Sequence, residues 1–241
     1  MDLVSALGAD AGLVCVVGAG GKKTTLYALA NRLDRAVVTA TVRIPIFDAH
    51  VERVVVTDDP VDALRDVDAW PVGLVPERER DDRYRGYPRE TVTALGASDD
   101  ADVVLVKADG ARTRLLKAPN DREPQLPMTA DTVVPVASVR AVGEPLDEAT
   151  VHRPERVAAI TDRDLGDAIR PVDVARVLAS REGGLKRVPS RATVVPLLNM
   201  VDDAELEAVG RDVAAEVLDR TDVPRVVLAR MNVPEVVDVV E

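Results

Sequence analysis

The residues best suited to chemistry stand together near the start of the chain: Gly18, Ala19, Gly20, Gly21, Lys22, Lys23, Thr24 and Thr25. Glycines let a backbone turn its N–H groups toward an anion with no Cβ in the way. A lysine ammonium can neutralise the outer phosphates of a nucleotide, and a threonine hydroxyl can hold Mg²⁺. Either Lys22 or Lys23 can be the phosphate lysine. The long pattern G-x-x-x-x-G-K-[ST] is met in neither register. With Lys23 as its lysine, Lys22 and Val17 occupy the glycine places; with Lys22, Val16 and Lys23 occupy the first glycine and hydroxyl places. The shorter G-x-x-G-K-[ST]-[ST] fits at Gly18, Gly21 and Lys22, with one extra lysine inserted. A dinucleotide fingerprint would use Gly18 and Gly20 but meets Lys23 at its third glycine. The plain alternative is a glycine turn between a strand and a helix, with surface lysines.

Three later groups can join that loop. Asp109 ends the apolar run at 103–106, where a carboxylate can bind Mg²⁺ directly or through water; an Asp-Gly turn with Gly110 is the alternative. Arg112, Arg114 and Lys117 follow in a stretch too rich in proline and charge to be one helix. It reads as a loop leading away from the metal site, with cations able to stabilise charge on a transferring phosphoryl group. Asn199-Met200-Val201-Asp202 resembles the N-K-x-D base-reading motif, with methionine in the lysine place. Asp202 would accept from the N1–H and amine of guanine, or else cap the helix that follows. These readings assign Thr24 and Asp109 to Mg²⁺, and residues 18–25 with Asn199 and Asp202 to ATP or GTP. Lys22, Lys23, Asp109, Arg114 and Lys117 are the candidate catalytic groups.

Such groups need strand ends to hold them. Buried apolar runs at 13–17, 36–40, 54–57, 72–75, 103–106, 132–136, 192–198 and 225–229 read as strands. Between them, 24–33, 61–67, 90–95, 153–161, 171–180 and 203–220 read as helices, and the charged stretch 77–85 as a solvated loop or helix end. Alternating strands and helices predict an α/β fold with a mostly parallel sheet flanked by helices, a three-layer architecture like that of P-loop NTPases. The chain reads as one domain, 1–241, with an inserted loop or subdomain at about 111–190 as the variant. In an open parallel sheet, ligands bind beyond the carboxyl ends of the strands. The three groups therefore belong in one crevice.

Composition excludes several classes. The 42 acidic and 31 basic residues give a net charge of −11, and no basic stripe or aromatic platform for nucleic acid is visible. Apolar residues are 46 % but aromatics 2 %, so Val, Ala and Leu must form the core. No apolar run approaches a membrane span, and residues 1–13 lack the basic start and long apolar centre of an export signal, so a soluble cytoplasmic protein is expected. Cys15 is alone and His50 and His152 are far apart, which leaves no disulfide and no cysteine–histidine metal cluster. An acidic chain poor in lysine suits strong salt. Its five lysines are Lys22, Lys23, Lys107, Lys117 and Lys186, and those kept in motifs are the ones with work to do.

The run A-D-G-A-R-T-R-L-L-K-A-P-N-D-R-E-P-Q-L-P, from Ala108 to Pro127, resembles the signature of the YqeC-like selenium-dependent hydroxylase accessory proteins. In that family a G-x-G-G-K-T-T loop precedes it, and V-H-R-P-E at 151–155 and L-N-M-V-D at 198–202 are similar to later landmarks. The resemblance spans about 12–230. It implies a P-loop NTPase-like protein associated with the maturation of a molybdenum-containing, in some organisms selenium-dependent, hydroxylase. The sequence departs from the pattern at the extra lysine of the loop, at Lys107 in place of an acidic residue, and at Arg122 in place of a histidine. The reading that follows is a Mg²⁺-dependent nucleoside-triphosphatase serving such an enzyme. The alternatives are a non-hydrolysing nucleotide sensor or chaperone, or a kinase or nucleotidyltransferase acting on a cofactor or small molecule.

Overall fold

The strand Gly12–Gly18 is buried from Leu13 to Val17. Its side chains divide between two cores, Val14 and Val16 on one face, Leu13, Cys15 and Val17 on the other. A strand apolar on both faces belongs inside a parallel sheet covered on both sides. The computed structural model, which describes residues 1–241, puts it there.

In chain order the first elements are α1 (Leu3–Leu7), β1 (Gly12–Gly18), α2 (Lys22–Ala30), β2 (Ala36–Ala40), β3 (Ile44–Pro45), β4 (Arg53–Val56), α3 (Pro60–Leu64), β5 (Val72–Val75), β6 (Arg83–Tyr84) and α4 (Arg89–Gly96). Then come β7 (Val103–Lys107), β8 (Leu116–Lys117), β9 (Thr132–Ser138), β10 (Val151–His152), α5 (Pro154–Thr161), α6 (Pro171–Ala179), β11 (Thr193–Val194), β12 (Leu197–Asn199), α7 (Ala204–Leu218), β13 (Val226–Arg230) and β14 (Glu235–Val240). The main sheet runs β14-β13-β12-β9-β1-β7-β2-β5-β4, with β11 also on β9. Every pairing in it is parallel except β13 with β14.

After β1 the chain first builds outward through β2, β4 and β5. It then returns with β7 beside β1 and continues on the other side with β9, β12 and β13. That reversal makes the carboxyl end of β1 a topological switch point, where crossovers part and leave a crevice. Helices α1 and α2 cover the face that carries Val14 and Val16. Helices α3 to α7 cover the opposite face through Leu64, Leu95, Val157, Val177 and Val213. The protein is thus a three-layer α/β structure. Prolines open α3, α5 and α6 at the first turn, where no N–H is required.

Four segments differ from expectation, besides the one around Lys117 taken up with the site below. The strand expected at 192–198 is two strands, because Pro196 cannot extend the ladder. The stretch 77–85 contains β6, which pairs antiparallel with β3. The five-residue α1, capped by Asp2, is too short to show helical periodicity. The closing β14 forms an antiparallel edge whose Glu235 and Asp238 discourage pairing with another chain. No helix is long and apolar enough to cross a membrane.

Candidate functional site

Beyond β1 the chain turns with φ of 90° at Gly18 and 134° at Gly21. A Cβ at Gly18 would lie 2.2 Å from the Val136 carbonyl oxygen, and one at Gly21 would lie 2.1 Å from Nδ2 of Asn199. Glycine is therefore required by the loop's close seat on the ends of β9 and β12 as well as by its turn. Ala19 N–H donates to Val136 O and Gly20 N–H to Arg114 O, both at 2.9 Å. The amides of Gly21, Lys22, Lys23 and Thr24 donate to nothing in the chain; the first bond of α2 runs from Thr25 N to Gly21 O at 2.9 Å. No side chain caps the helix. Four unpaired N–H groups and the positive end of the helix dipole thus meet at one point, the arrangement that suits an anion.

Beneath the loop, Asp109 is 2 % exposed at the end of β7. Its Oδ1 lies 2.9 Å from the Lys22 ammonium, and its Oδ2 lies 2.8 Å from that of Lys117 and accepts from Gly18 N–H at 3.0 Å. Oδ1 makes no hydrogen bond beyond that ionic contact. Lys22 also donates to Gly18 O, and Lys117 to Gly110 O. Glu123 extends the network: its Oε2 meets Lys117 at 2.8 Å and Arg153 at 2.9 Å, and its Oε1 accepts from Gly110 N–H at 3.2 Å. Burial pushes the Asp109 pKa up, but Lys22 and then Lys117 outweigh it and hold the carboxyl at about 2. The carboxylate is ionised, and it fixes β1, the loop and the returning chain to one another.

Above the loop a cavity of about 390 Å³ is lined by Gly20, Gly21, Lys22, Lys23 and Thr24 on one side and by Arg43, Lys107, Arg112 and Arg114 around it. No acidic side chain lines it. Arg43 is paired with Glu79, and Lys22 with Asp109. Lys23, Lys107, Arg112 and Arg114 make no ion pair. Lys107 is buried and donates to Arg43 O at 2.7 Å; burial, then the charge of Lys22, brings its pKa down to about 7. Four of the chain's five lysines meet at this site, and scarcity of lysine was the signal that marked them.

The remaining candidates have distinct places. Thr24 is exposed at the rim, while the Thr25 hydroxyl donates back to Gly21 O at 3.1 Å. Asn199 is buried and uses both ends of its amide: Nδ2 donates to Gly20 O at 2.7 Å, and Oδ1 accepts from Met231 N–H at 2.9 Å. It ties loop to sheet. Asp202 pairs with Arg140 at 2.7 Å, and the cap of α7 is its neighbour Asp203, which accepts from Leu206 N–H at 2.8 Å. Asp202 and Thr24 share an adjoining cavity of about 260 Å³. Arg114 lines the main cavity, but Lys117 does not lead away from Asp109 as its loop suggested. The pairing of β8 with β10 folds the segment back and buries it. Sequence reasoning passed over Arg43, which no motif marks, and Glu123, whose only signal is its place inside the proline-rich run.

Mg²⁺ takes hard oxygens in octahedral order, with one or two carboxylates beside water and phosphate. Both oxygens of Asp109 face ammonium groups, Thr25 is bonded to Gly21, and only Thr24 offers an unengaged hydroxyl beside the loop. No group of three His, Cys, Asp or Glu side chains assembles anywhere in the chain. By themselves these residues offer a divalent cation one free hydroxyl and no free carboxylate oxygen, a poor fit to such an ion.

A mostly parallel sheet between two helical layers, with a glycine loop leading from its central strand into a helix, defines an α/β protein of P-loop-like, three-layer architecture. The family model described as YqeC protein matches residues 14–155, the span that holds the loop, Asp109, Lys117, Glu123 and Arg153. The chain belongs to the YqeC family. It is similar to a protein of Escherichia coli (strain K12) described as "Uncharacterized protein YqeC", with 28 % identity over 199 residues, which cover 80 % of this chain and 77 % of the other.

Proposed function

We propose that the protein binds the phosphate tail of a nucleoside triphosphate, ATP or GTP, in the cationic cavity at the mouth of β1. The observation that carries this is the set of unpaired amides at Gly21, Lys22, Lys23 and Thr24, opening on a cavity lined by Lys23, Lys107, Arg112 and Arg114, none of which is in an ion pair. The terminal phosphates would lie on those amides, with Lys23 on their outer side and Arg112 and Arg114 closing over them. Lys22, tied to Asp109, sets the potential of the loop from beneath. The base would enter the adjoining cavity beside Asp202, whose carboxylate suits the donor pair of guanine. Hydrolysis would rest on positioning and on cations that follow the developing charge, since neither a carboxylate nor a histidine lines the cavity. The family resemblance supports a role as an accessory factor in the maturation of a molybdenum-containing hydroxylase, with that enzyme or its cofactor-maturation proteins as partners.

A second reading, group transfer to an acceptor, has its own support. A cavity of about 250 Å³ lined by Arg112, Arg114, His152 and Arg153 lies across the Arg112–Arg114 loop from the first. A kinase or nucleotidyltransferase needs such a neighbouring pocket. Burial, then Arg153 and Lys117, hold His152 at about pKa 4, so it is neutral there at pH 7.

The test is titration calorimetry with ATP, GTP and CTP on the wild type and on Lys23→Ala and Arg114→Ala. Each variant should lose roughly tenfold in affinity, the value of one charge-assisted contact. Wild-type affinity retained by both would remove the triphosphate from this cavity. Analysis of products for phosphate, diphosphate or a modified acceptor separates hydrolysis from transfer.

A further inference from the structure

The positive charge around the cavity is arranged as though no metal were to be added. Lys107 is the last residue of β7, 6 % exposed, and its ammonium is held by a single backbone carbonyl, Arg43 O at 2.7 Å. It has no carboxylate partner and borders the space into which the loop amides open. The carboxylate nearest to it along the chain, Asp109, is occupied by Lys22 and Lys117. A divalent ion entering here would find two buried ammonium groups and no free acidic oxygen.

We infer that this cavity takes its triphosphate free of divalent metal, with the ammonium of Lys107, together with Lys23, Arg112 and Arg114, supplying the charge that a metal ion would bring. The inference rests on the nucleotide reading above and narrows it to the chemical form of the ligand. A triphosphate tail at neutral pH carries about four negative charges, roughly two on its terminal group and one on each of the others. Lys23, Arg112 and Arg114 supply three positive charges, and the tail's own charge draws Lys107, whose pKa otherwise stands at about 7, into its ammonium form to supply the fourth. The same tail carrying Mg²⁺ has about half the charge, and its metal would sit against Lys107 or Lys23 in a partly desolvated site where like charges repel strongly. Lys107 is well placed because β7 is central: the strand fixes its Cα, and the Arg43 carbonyl aims the ammonium. An ammonium offers three donors to phosphate oxygens and needs no ordered water shell.

Calorimetry with inorganic tripolyphosphate, ATP and GTP, each in EDTA and in excess Mg²⁺, tests this on the intact chain. The expected result is binding in EDTA at least as tight as in Mg²⁺. Lys107→Met should weaken the metal-free form by roughly tenfold or more and the Mg²⁺ form less. Lys107→Glu should reverse the preference, making Mg²⁺ necessary. Arg112, on the exposed loop, gives a second variant that leaves the core intact: Arg112→Ala should also weaken the metal-free form more than the Mg²⁺ form. Binding only of Mg²⁺ complexes, or equal losses for both forms in Arg112→Ala and a folded Lys107→Met, overturns the inference and leaves the nucleotide reading standing. Failure of every triphosphate to bind in either condition removes both.

Discussion

Asp109 carries two lysine ammoniums and a backbone amide on one buried carboxylate, and this dictates how it responds to change. Converting it to asparagine keeps its shape and removes its charge. Lys22 is then left without a carboxylate, and Lys117 keeps only Glu123. Breaking a buried ion pair on one side costs about 3–5 kcal/mol, because the surviving charge stays buried without compensation. Asp109→Asn should lower unfolding stability by about that amount in a denaturant titration; a loss below about 1 kcal/mol would mean that water already reaches the pair. Acid acts on the same bond. The folded carboxyl, at about 2, lies below its ordinary value of 3.8. Its contribution is therefore complete above about pH 4 and is lost as pH falls toward 2, amounting to about 2 kcal/mol. Asp109→Asn should flatten the stability curve in that window, and a curve that keeps its slope there would assign the acid response to other carboxylates.

At the scale of elements, the site exists because β1, β7 and β12 end along the same edge of the sheet and residues at those ends reach across to one another. Asn199 is the tie from β12. Asn199→Ala would leave the Met231 N–H without its acceptor and Gly20 O without its side-chain donor in a dry place, a cost of about 1–3 kcal/mol for each unsatisfied group. The variant should lower the melting temperature and quicken amide exchange at residues 18–21, whereas unchanged protection of those amides would show that Val136 and Arg114 suffice to seat the loop. The convergence of these strand ends was legible in the sequence because each strand is a short apolar run that stops at a residue of another kind: Gly18, Lys107-Ala108-Asp109 and Asn199. The segments that escaped were those decided by partners distant in sequence. Lys117 follows a loop whose composition says only that it is irregular, and its return to Asp109 depends on β8 pairing with β10, thirty-odd residues on. Arg43 reaches the cavity from the short connection after β2, with no local pattern to mark it. Asn199 carries the look of a base-reading residue, but the approach of Gly20 and Met231 decides that both ends of its amide are used inside the fold.

For the whole molecule, two electrostatic regimes coexist. The chain carries a net charge of −11, while the mouth of β1 gathers Lys23, Lys107, Arg112 and Arg114 without acidic partners. Salt acts on the two in opposite directions. Carboxylates spread over the surface repel one another, and shortening the screening length from about 10 Å at 0.1 M to about 3 Å at 1 M relieves that repulsion. The exposed ion pairs, such as Arg65 with Asp62 and Arg35 with Asp102, lose some attraction in the process. Pairs of that kind are worth only about 0–1 kcal/mol each, so the relief should prevail. Thermal stability is therefore expected to rise as potassium chloride is raised from about 0.1 to 1 M. Triphosphate affinity should fall over the same range, because its attraction to the cavity is screened while the hydrogen bonds to the four loop amides are not. The buried group of Asp109, Lys22 and Lys117 is shielded from added ions, and the Asp109→Asn penalty should stay nearly constant throughout. Melting curves and calorimetry in one salt series measure all three. A melting temperature that falls with salt would show that the surface pairs, rather than net repulsion, govern stability, and an affinity indifferent to salt would place the ligand's charge away from the unpaired cations.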